Sequence, residues 1–559
     1  ALLSILVYYP DVADDFDVWW HLKYGRHFVR HLTWTIDHTA FSWTPSDPGW
    51  IYVSWLGSSL LYLFHLAGGY PALVVLQWLI FLAVTGLFLL FLRSCGSPLS
   101  AVHIAGLLLV FTAINPVAVY IKPELFTLLF FTMAVFVYFV SKATAQNYFW
   151  IYPPLFLVWV NTHGGFINGL GFITIALAAE AASYAFKHPD RMLKPLLWKF
   201  AAGVGLAYAA ALINPHGVVY WIQIFQNAAQ SGSHIASVAA YSPPWNYLFP
   251  GGFFFRRINA AWAMILMALV LATIAGAGLM RKKQLSPPVL ALNLAFFMFG
   301  FSVFRASIYF CILWIFSCHY LGRFGQWRMN APAAVAAFLF SLAVSGMIVY
   351  ETAVYNTYNS RFGARIADYI PAASADFIAQ NKLPGPLFND YLSGGYLVWA
   401  LPPPYKVFID PRYGPYVSAG VWQDYLALMT GGGLRMLDDK YRCNTALVMN
   451  GNRRLIDRFL KSPEWGLAYF DAAGAVFLRQ SCLNTIGTRW FKGDMRPEKF
   501  SGISNPRILT TVFYLYCHYN PLSARKILAC YKNNVRKTYK FRSFEIERME
   551  AALNQLPIP

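Results

Sequence analysis

Pro123-Glu-Leu-Phe-Thr-Leu-Leu-Phe-Phe-Thr-Met-Ala-Val-Phe-Val-Tyr-Phe-Val-Ser141 is an apolar run with a single charge, at its start. About 20 such residues cross the hydrocarbon core of a bilayer as a helix. Comparable runs lie near 70–93, 100–115, 148–163, 166–186, 196–213, 258–280, 288–304, 306–322 and 331–350. Residues 1–10 read as the end of a further membrane helix, which brings the expected total to about eleven. The run 52–67 is shorter and is expected to lie in the interface or to re-enter.

Composition points the same way. Of 559 residues, 57% are hydrophobic, 18% aromatic and only 12% charged. A soluble domain carries about 25% charged residues. The net charge of +19 would suggest nucleic acid in a soluble protein. No basic, aromatic-interleaved binding module accompanies it, so no nucleic-acid partner is expected. Cytoplasmic loops and anionic lipid account for the charge better. With residues 11–69 outside, the inside loops carry Arg93, Lys142, Lys187, Arg191, Lys194, Arg281, Lys282, Lys283, Arg323 and Arg328. The opposite short loops carry Lys122, Arg256, Arg257 and Arg305. One alternation therefore satisfies the positive-inside rule and puts 351–559 outside. The seven cysteines form no CxxC pair. Disulfides in an extracytoplasmic part and buried free thiols are both open.

Three parts follow: a transmembrane part over 1–350, with 11–69 as its first extracytoplasmic loop; a soluble α/β domain over 351–483; and a basic helical tail over 484–559. In the second part, strands are expected at Pro386-Leu-Phe-Asn, Lys406-Val-Phe-Ile-Asp, Thr445-Ala-Leu-Val-Met, Gly466-Leu-Ala-Tyr-Phe and Ala475-Val-Phe-Leu-Arg. Helices are expected at 372–381, 418–440 and 452–461. The tail holds thirteen Lys/Arg against five Asp/Glu and reads as a solvated appendage, a helix-pair repeat or a lipid-surface contact.

Chemistry concentrates at the ends of the apolar runs. Asp11-Val-Ala-Asp-Asp-Phe-Asp-Val-Trp-Trp-His-Leu holds four carboxylates. In a helix starting at Asp17, His21 shares its face. Asp15, Asp17 and His21 could hold a divalent cation or take a proton from a hydroxyl. The same residues also fit a helix cap, with Trp19 and Trp20 as a membrane belt. Lys122, His163, His216 and Arg305 fall at run ends on the predicted outer side. Ionisable groups at membrane depth are costly, so each is a functional candidate. Lys122 and Arg305 suit a phosphate, and His163 and His216 could donate to one. Snorkelling or capping would explain each of them singly. Asn389-Asp390 and Asp410-Pro-Arg412 follow expected strands, where binding groups and turn formers both occur.

Asp15-Phe-Asp17-Val-Trp19-Trp20-His21-Leu-Lys-Tyr-Gly25, Phe41-Ser42, Trp50, Trp55, Lys122-Pro-Glu-Leu-Phe-Thr, Asn161-Thr-His163-Gly-Gly-Phe, Asn214-Pro-His-Gly, Asn389-Asp390…Gly394-Gly395-Tyr396 and Phe408-Ile-Asp410…Arg412 form a pattern over roughly residues 11–480. The pattern resembles a bacterial group of multi-spanning proteins similar to the GT-C superfamily of glycosyltransferases. The resemblance implies a polytopic α-helical membrane fold, GT-C-like, followed by a small extracytoplasmic α/β domain. It implies the bacterial inner membrane, and transfer of a sugar from a polyprenyl-phosphate carrier to an extracytoplasmic acceptor. Carried over residue by residue, Asp15 or Asp17 would be catalytic, as base or as ligand of a divalent cation such as Mg2+ or Mn2+. His21, Lys122, His163, His216, Arg305, Asp410 and Arg412 would bind substrate, with Lys122, His163 and Arg305 facing the carrier phosphate. The implied partners are membrane lipid, the lipid-linked sugar, and proteins docking on the C-terminal domain. The chain departs from the group at Trp50-Ile-Tyr52-Val-Ser54-Trp55, where His or Asn and an acid usually precede the second Trp, and at Thr39-Ala40, where an Asp usually precedes Phe-Ser. The alternative is therefore a non-catalytic scaffold subunit of a larger membrane assembly.

Overall fold

Helix α1 (Asp17–His31) opens the computed structural model, which describes residues 16–118, 120–186, 192, 194–234, 243–244, 255–280, 286–323, 335, 339, 343, 366, 369–486, 496–535, 537 and 542–556. Contacts divide the chain into two compact units. One holds Ala1–Val12 and Val53–Tyr355; the other holds Ala13–Tyr52 and Asn356–Pro559. Of the segment 11–69 expected to be a loop of the membrane part, residues 13–52 thus group with the C-terminal domain and the rest with the first unit.

The first unit is helical. Helix α2 (Trp55–Ser94) continues through a kink at Gly68 and Gly69, the latter at φ +62°, with Pro71 just inside the second half. Glycine suits the positive φ, and proline at a helix start gives up an N–H that has no partner there anyway. The short run 52–67 is therefore the first arm of a kinked helix that continues into 70–93. Helices α3 (Ala101–Ala118), α4 (Glu124–Thr144), α5 (Tyr152–Thr162), α6 (Phe166–Ala185), α7 (Lys194–Ala211), α8 (Val218–His234), α9 (Phe255–Met280), α10 (Pro287–Ser302) and α11 (Ser307–Arg323) follow. Aromatic rings fill the space between them: Phe131 meets Tyr309 at 4.7 Å and Phe172 at 5.5 Å between ring centroids.

Among the described residues, four helices are long and apolar enough to cross a membrane: Trp55–Ser94, Glu124–Thr144, Phe166–Ala185 and Phe304–Gly322. Ala101–Ile114, Ala261–Gly276 and Pro287–Ser302 are shorter apolar helices. The expected runs from 70–93 to 306–322 each contain one of the helices α2 to α11. The run 148–163 yields only α5, about 16 Å long at 1.5 Å per residue. Residues 1–10 and nearly all of 331–350 lie outside the described residues.

In the second unit, helices α12 (Ala372–Gln380), α13 (Tyr391–Ala400), α14 (Val421–Thr430) and α15 (Arg453–Lys461) surround a four-stranded sheet. Strands β1 (Leu387–Asn389), β2 (Thr445–Met449), β3 (Trp465–Phe470) and β4 (Gly474–Arg479) lie in the order β1-β2-β4-β3. β1 runs parallel to β2, with Phe388 opposite Ala446; the other pairs are antiparallel. The run 406–410 is not a fifth strand. Val407 pairs with the loop at Phe41–Trp43 by two backbone bonds of 3.0 and 3.1 Å. The Asn389 amide accepts from Phe408 N–H at 2.8 Å and donates to the Ile409 carbonyl at 2.8 Å, in the manner of a strand neighbour. The expected helix 418–440 breaks at Gly431-Gly432-Gly433 into α14 and a turn over Arg435–Asp439.

α1 buries Val18, His21, Leu22, Gly25 and Phe28 along one side, and packs with α13. Trp19 and Trp20 are buried in this unit rather than forming a membrane belt, and the Trp19 ring meets Tyr396 edge-on at 4.6 Å. Beyond 484, the chain is no appendage. Helices α16 (Gln480–Ile486), α17 (Pro506–Tyr519), α18 (Pro521–Asn534) and α19 (Arg542–Asn554) end the chain, and the last three join the sheet's apolar core. Asn505-Pro506 and Asn520-Pro521 start α17 and α18 alike: each Asn side chain accepts from N–H groups of the first turn, and proline takes the first helical position. All seven cysteines are free thiols.

Candidate functional site

In the first unit the ends of several helices gather. Lys122-Pro123 precede α4, so Glu124 stands in its first turn, where the helix dipole favours a carboxylate. The apolar stretch from α10 to α11 is broken by an extended Val303 and a short turn over Phe304–Ala306, which carries Arg305. Arg305 grips Glu124 with both arms: Nε to Oε1 at 2.5 Å and Nη2 to Oε2 at 2.5 Å. Lys122 Nζ lies 4.0 Å from Glu124 Oε2 and 5.3 Å from the Tyr120 ring centroid. The described residues thus bring two cations to one half-buried carboxylate.

His163 occupies the break between α5 and α6. Its Nδ1 lies 2.9 Å from Thr127 Oγ1 and receives the Gly165 N–H at 3.0 Å. Because Nδ1 accepts the Gly165 N–H it carries no proton, so the Thr127 hydroxyl is the donor to it, while Thr127 Oγ1 accepts from Trp159 Nε1 at 3.0 Å. With two donors aimed at Nδ1, the imidazole is neutral and carries its proton on Nε2, as a donor. Gly165 is required here, because a Cβ would stand 2.5 Å from Thr127 Oγ1.

The neighbouring loop joins them. Asn161 accepts from Trp55 Nε1 at 2.8 Å and donates to the Ile213 carbonyl at 2.9 Å. Asn214 Oδ1 takes the His216 N–H at 3.0 Å, and Phe166 meets Tyr220 at 5.5 Å. The segments bearing Lys122, His163, His216 and Arg305 therefore come together within this unit. Glu124 and Thr127 complete the cluster. Both lie in the Lys122-Pro-Glu-Leu-Phe-Thr motif, but an acid at a helix start looks like a dipole partner in sequence, and a threonine like an ordinary helix residue.

The remaining candidates belong to the second unit. Asp15 lies outside the described residues. Asp17 begins α1 and accepts from Trp20 Nε1 at 3.4 Å. His21 is buried, stacks on Trp20 at 3.7 Å, and its Nδ1 lies 2.7 Å from the Tyr52 hydroxyl. Among the described residues, no three His, Cys, Asp or Glu stand together as metal ligands. Asp410 and Arg412 are fully buried and paired, with Nε to Oδ1 at 2.6 Å and Nη2 to Oδ2 at 2.5 Å. Arg412 also donates to the Tyr24 hydroxyl, the His38 carbonyl and the Tyr416 hydroxyl at 2.8, 2.6 and 2.7 Å. Its five N–H groups are all taken within the chain. Burial outweighs the Arg412 charge at Tyr24 and raises that phenol well above its ordinary value.

No protein-family model matches the chain, and no curated protein matches its sequence. Among solved structures it is similar to ArnT from Cupriavidus metallidurans bound to undecaprenyl phosphate: 13% identity, 87% of this chain and 97% of that one, TM-score 0.45. The same enzyme in the apo state gives 13% identity, 87% and 96% coverage, and a TM-score of 0.47. The arabinofuranosyltransferase AftD from Mycobacteria gives 13% identity over 85% of this chain, with a TM-score of 0.49. This chain spans 40% of AftD. These are likenesses of backbone trace, and the functional reading stands on this chain's own residues.

Proposed function

We propose that the protein is a membrane glycosyltransferase that moves a sugar from a polyprenyl-phosphate carrier to an extracytoplasmic acceptor. The observation that carries this reading is the meeting of Lys122, Arg305 and His163 at Glu124, at the ends of apolar helices. A lipid phosphate is dianionic or monoanionic and needs cations and N–H donors at such a depth. It would compete with Glu124 for the Arg305 fork, take charge from Lys122, and accept from His163 Nε2–H. As the glycosidic bond breaks, those groups would hold the charge growing on the leaving phosphate. Asp15 or Asp17 would take the proton of the attacking acceptor, or bind a divalent cation; a carboxylate pair is the donor set that Mg2+ and Mn2+ prefer. Asp410 and Arg412 would act by fixing Tyr24 and the 38–47 loop.

The test is transfer of label from a polyprenyl-phosphate sugar by the full chain in membranes. Arg305→Ala and Lys122→Ala are each expected to lower turnover about 100-fold, the scale of losing one charge-stabilising donor. Full activity in both Asp15→Ala and Asp17→Ala would defeat the assignment of the acids, and loss of turnover in EDTA would support the cation. The scaffold reading is favoured by Ser54, which is buried where the group usually has an acid. Stoichiometric co-purification in a larger assembly, with no label transferred by the wild type, would decide for it.

A further inference from the structure

α1 turns one side to the core of its unit, and its other side carries only basic groups. Lys23, Arg26, His27, Arg30 and His31 recur at the spacing of one helix face. No acid occurs from Val18 to Ile36, whereas a solvent-facing surface usually mixes both signs. Lys23 Nζ and the Arg26 guanidinium stand 5.8 and 4.8 Å from the centroids of the Phe41 and Trp399 rings, which steady them. Arg30 and His31 are exposed in the last turn, where the helix dipole favours cations, and the His27 and His31 rings lie 4.4 Å apart. Asp37, the first acid beyond the helix, accepts from Thr39 N–H at 2.9 Å and from the Thr39 hydroxyl at 2.6 Å.

The helix ends on a residue that water does not explain. Leu32 has φ 51° and ψ 43°, and its N–H and that of Thr33 both return to the Phe28 carbonyl. Glycine is the usual occupant of this left-handed position, because a side chain is strained there. Here the side chain is a leucine that is 88% exposed, and Trp34, two residues on, is 56% exposed. At such exposure, packing within the unit repays neither the strain nor the apolar surface left in water.

We infer that this basic face of α1, with Leu32 and Trp34 at its tip, rests on the anionic phospholipid headgroups of the bilayer. Lysine and arginine beside a membrane attract anionic lipid, tryptophan favours the headgroup level, and leucine gains by leaving water. An acidic protein would answer the charges alone. The chain itself supplies the membrane: residues 32–54 link α1 to α2, a helix long and apolar enough to cross one. The inference needs a bilayer and is independent of the glycosyltransferase reading.

The experiment places the full chain in nanodiscs of phosphatidylcholine, with or without phosphatidylglycerol. Trp34→benzoylphenylalanine is irradiated, and mass spectrometry identifies what it captures. The adduct is a phospholipid, and its yield with phosphatidylglycerol present is about tenfold that in phosphatidylcholine alone. Salt at about 1 M, where charges are screened beyond about 3 Å, removes the difference. Arg30→Gln in the same chain lowers the yield about fivefold. Leu32→Gly separates lipid contact from folding. Glycine accepts the positive φ, so this variant melts at or above the wild-type temperature yet captures less lipid. Capture of protein alone, or of nothing, would overturn the docking face. So would equal yield in both lipids, an unchanged yield in Arg30→Gln, or a Leu32→Gly chain that melts lower.

Discussion

Five acceptors in three separate segments hold the guanidinium of Arg412. Its carboxylate partner is equally buried, so losing the arginine strands a charge. Breaking a buried pair on one side costs about 3–5 kcal/mol. Arg412→Ala is expected to destabilise the full chain by that amount in detergent melts. Arg412→Lys rescues only part of it, because an ammonium cannot reach five acceptors in one plane. Wild-type melting of Arg412→Ala would show that the cluster stabilises nothing. Asp390 is the counterpart for pH. Burial raises its carboxyl to about 7, against the opposing bonds from the Met449 N–H and Asn452. The folded state thus holds the proton more tightly than the unfolded chain, whose value is about 4. Stability contributed by the protonated form is fully present below about 4 and is lost as pH rises to about 7. Asp390→Asn should flatten melting temperature across that window; an unaltered slope would mean another group titrates there.

Elements show where sequence pattern is sufficient and where it fails. Four of five expected strands form, as short, almost continuously buried apolar runs of strand length. The fifth, at 406–410, has the same composition but pairs with residues 41–43 and with one asparagine side chain, partners far off in sequence. Lys142, read as an inside loop residue, stands in the last turn of α4, where its ammonium is buried on Glu180 at 2.9 Å beside the Tyr138 hydroxyl. A lysine's place, in water or paired, depends on a neighbour that periodicity cannot name. Gly394-Gly395 is clearer in hindsight. A Cβ at Gly394 would overlap the Ile409 carbonyl, and one at Gly395 the Phe16 carbonyl, so α13 fits between two backbones. Gly394→Ala should cost more than about 2 kcal/mol despite the higher helix propensity of alanine, because backbone has to shift. A stabilised variant in the same melt would refute the close packing.

On the scale of the molecule, hydropathy made the apolar helices and the globular part legible; motifs marked Lys122, His163 and His216, a break in an apolar run marked Arg305, and the segments that bear them meet in the first unit. The grouping of residues 13–52 with 356–559 was not legible, since Tyr24 and Arg412 are nearly four hundred positions apart and nothing local couples them. The tail misled for another reason. Its excess of cations is real, but charge is read from whole segments, whereas α17 buries Ile508 to Phe513, Leu515 and Tyr516, nearly all round. Tyr516 meets Phe470 at 4.9 Å, Thr511 donates to the Asn450 carbonyl at 3.1 Å, and the Arg453 guanidinium covers the Tyr514 ring at 3.7 Å. Removing a buried aromatic costs about 3–5 kcal/mol, and the tail supplies several. A chain stopped before Pro506 should therefore leave the sheet's core uncovered, aggregate, and be cut by protease near β3 and β4. Tyr516→Ala should lower the melting temperature in the same direction. A truncated chain that stays monodisperse and protease-resistant would show the tail to be the detachable appendage that its charge suggests.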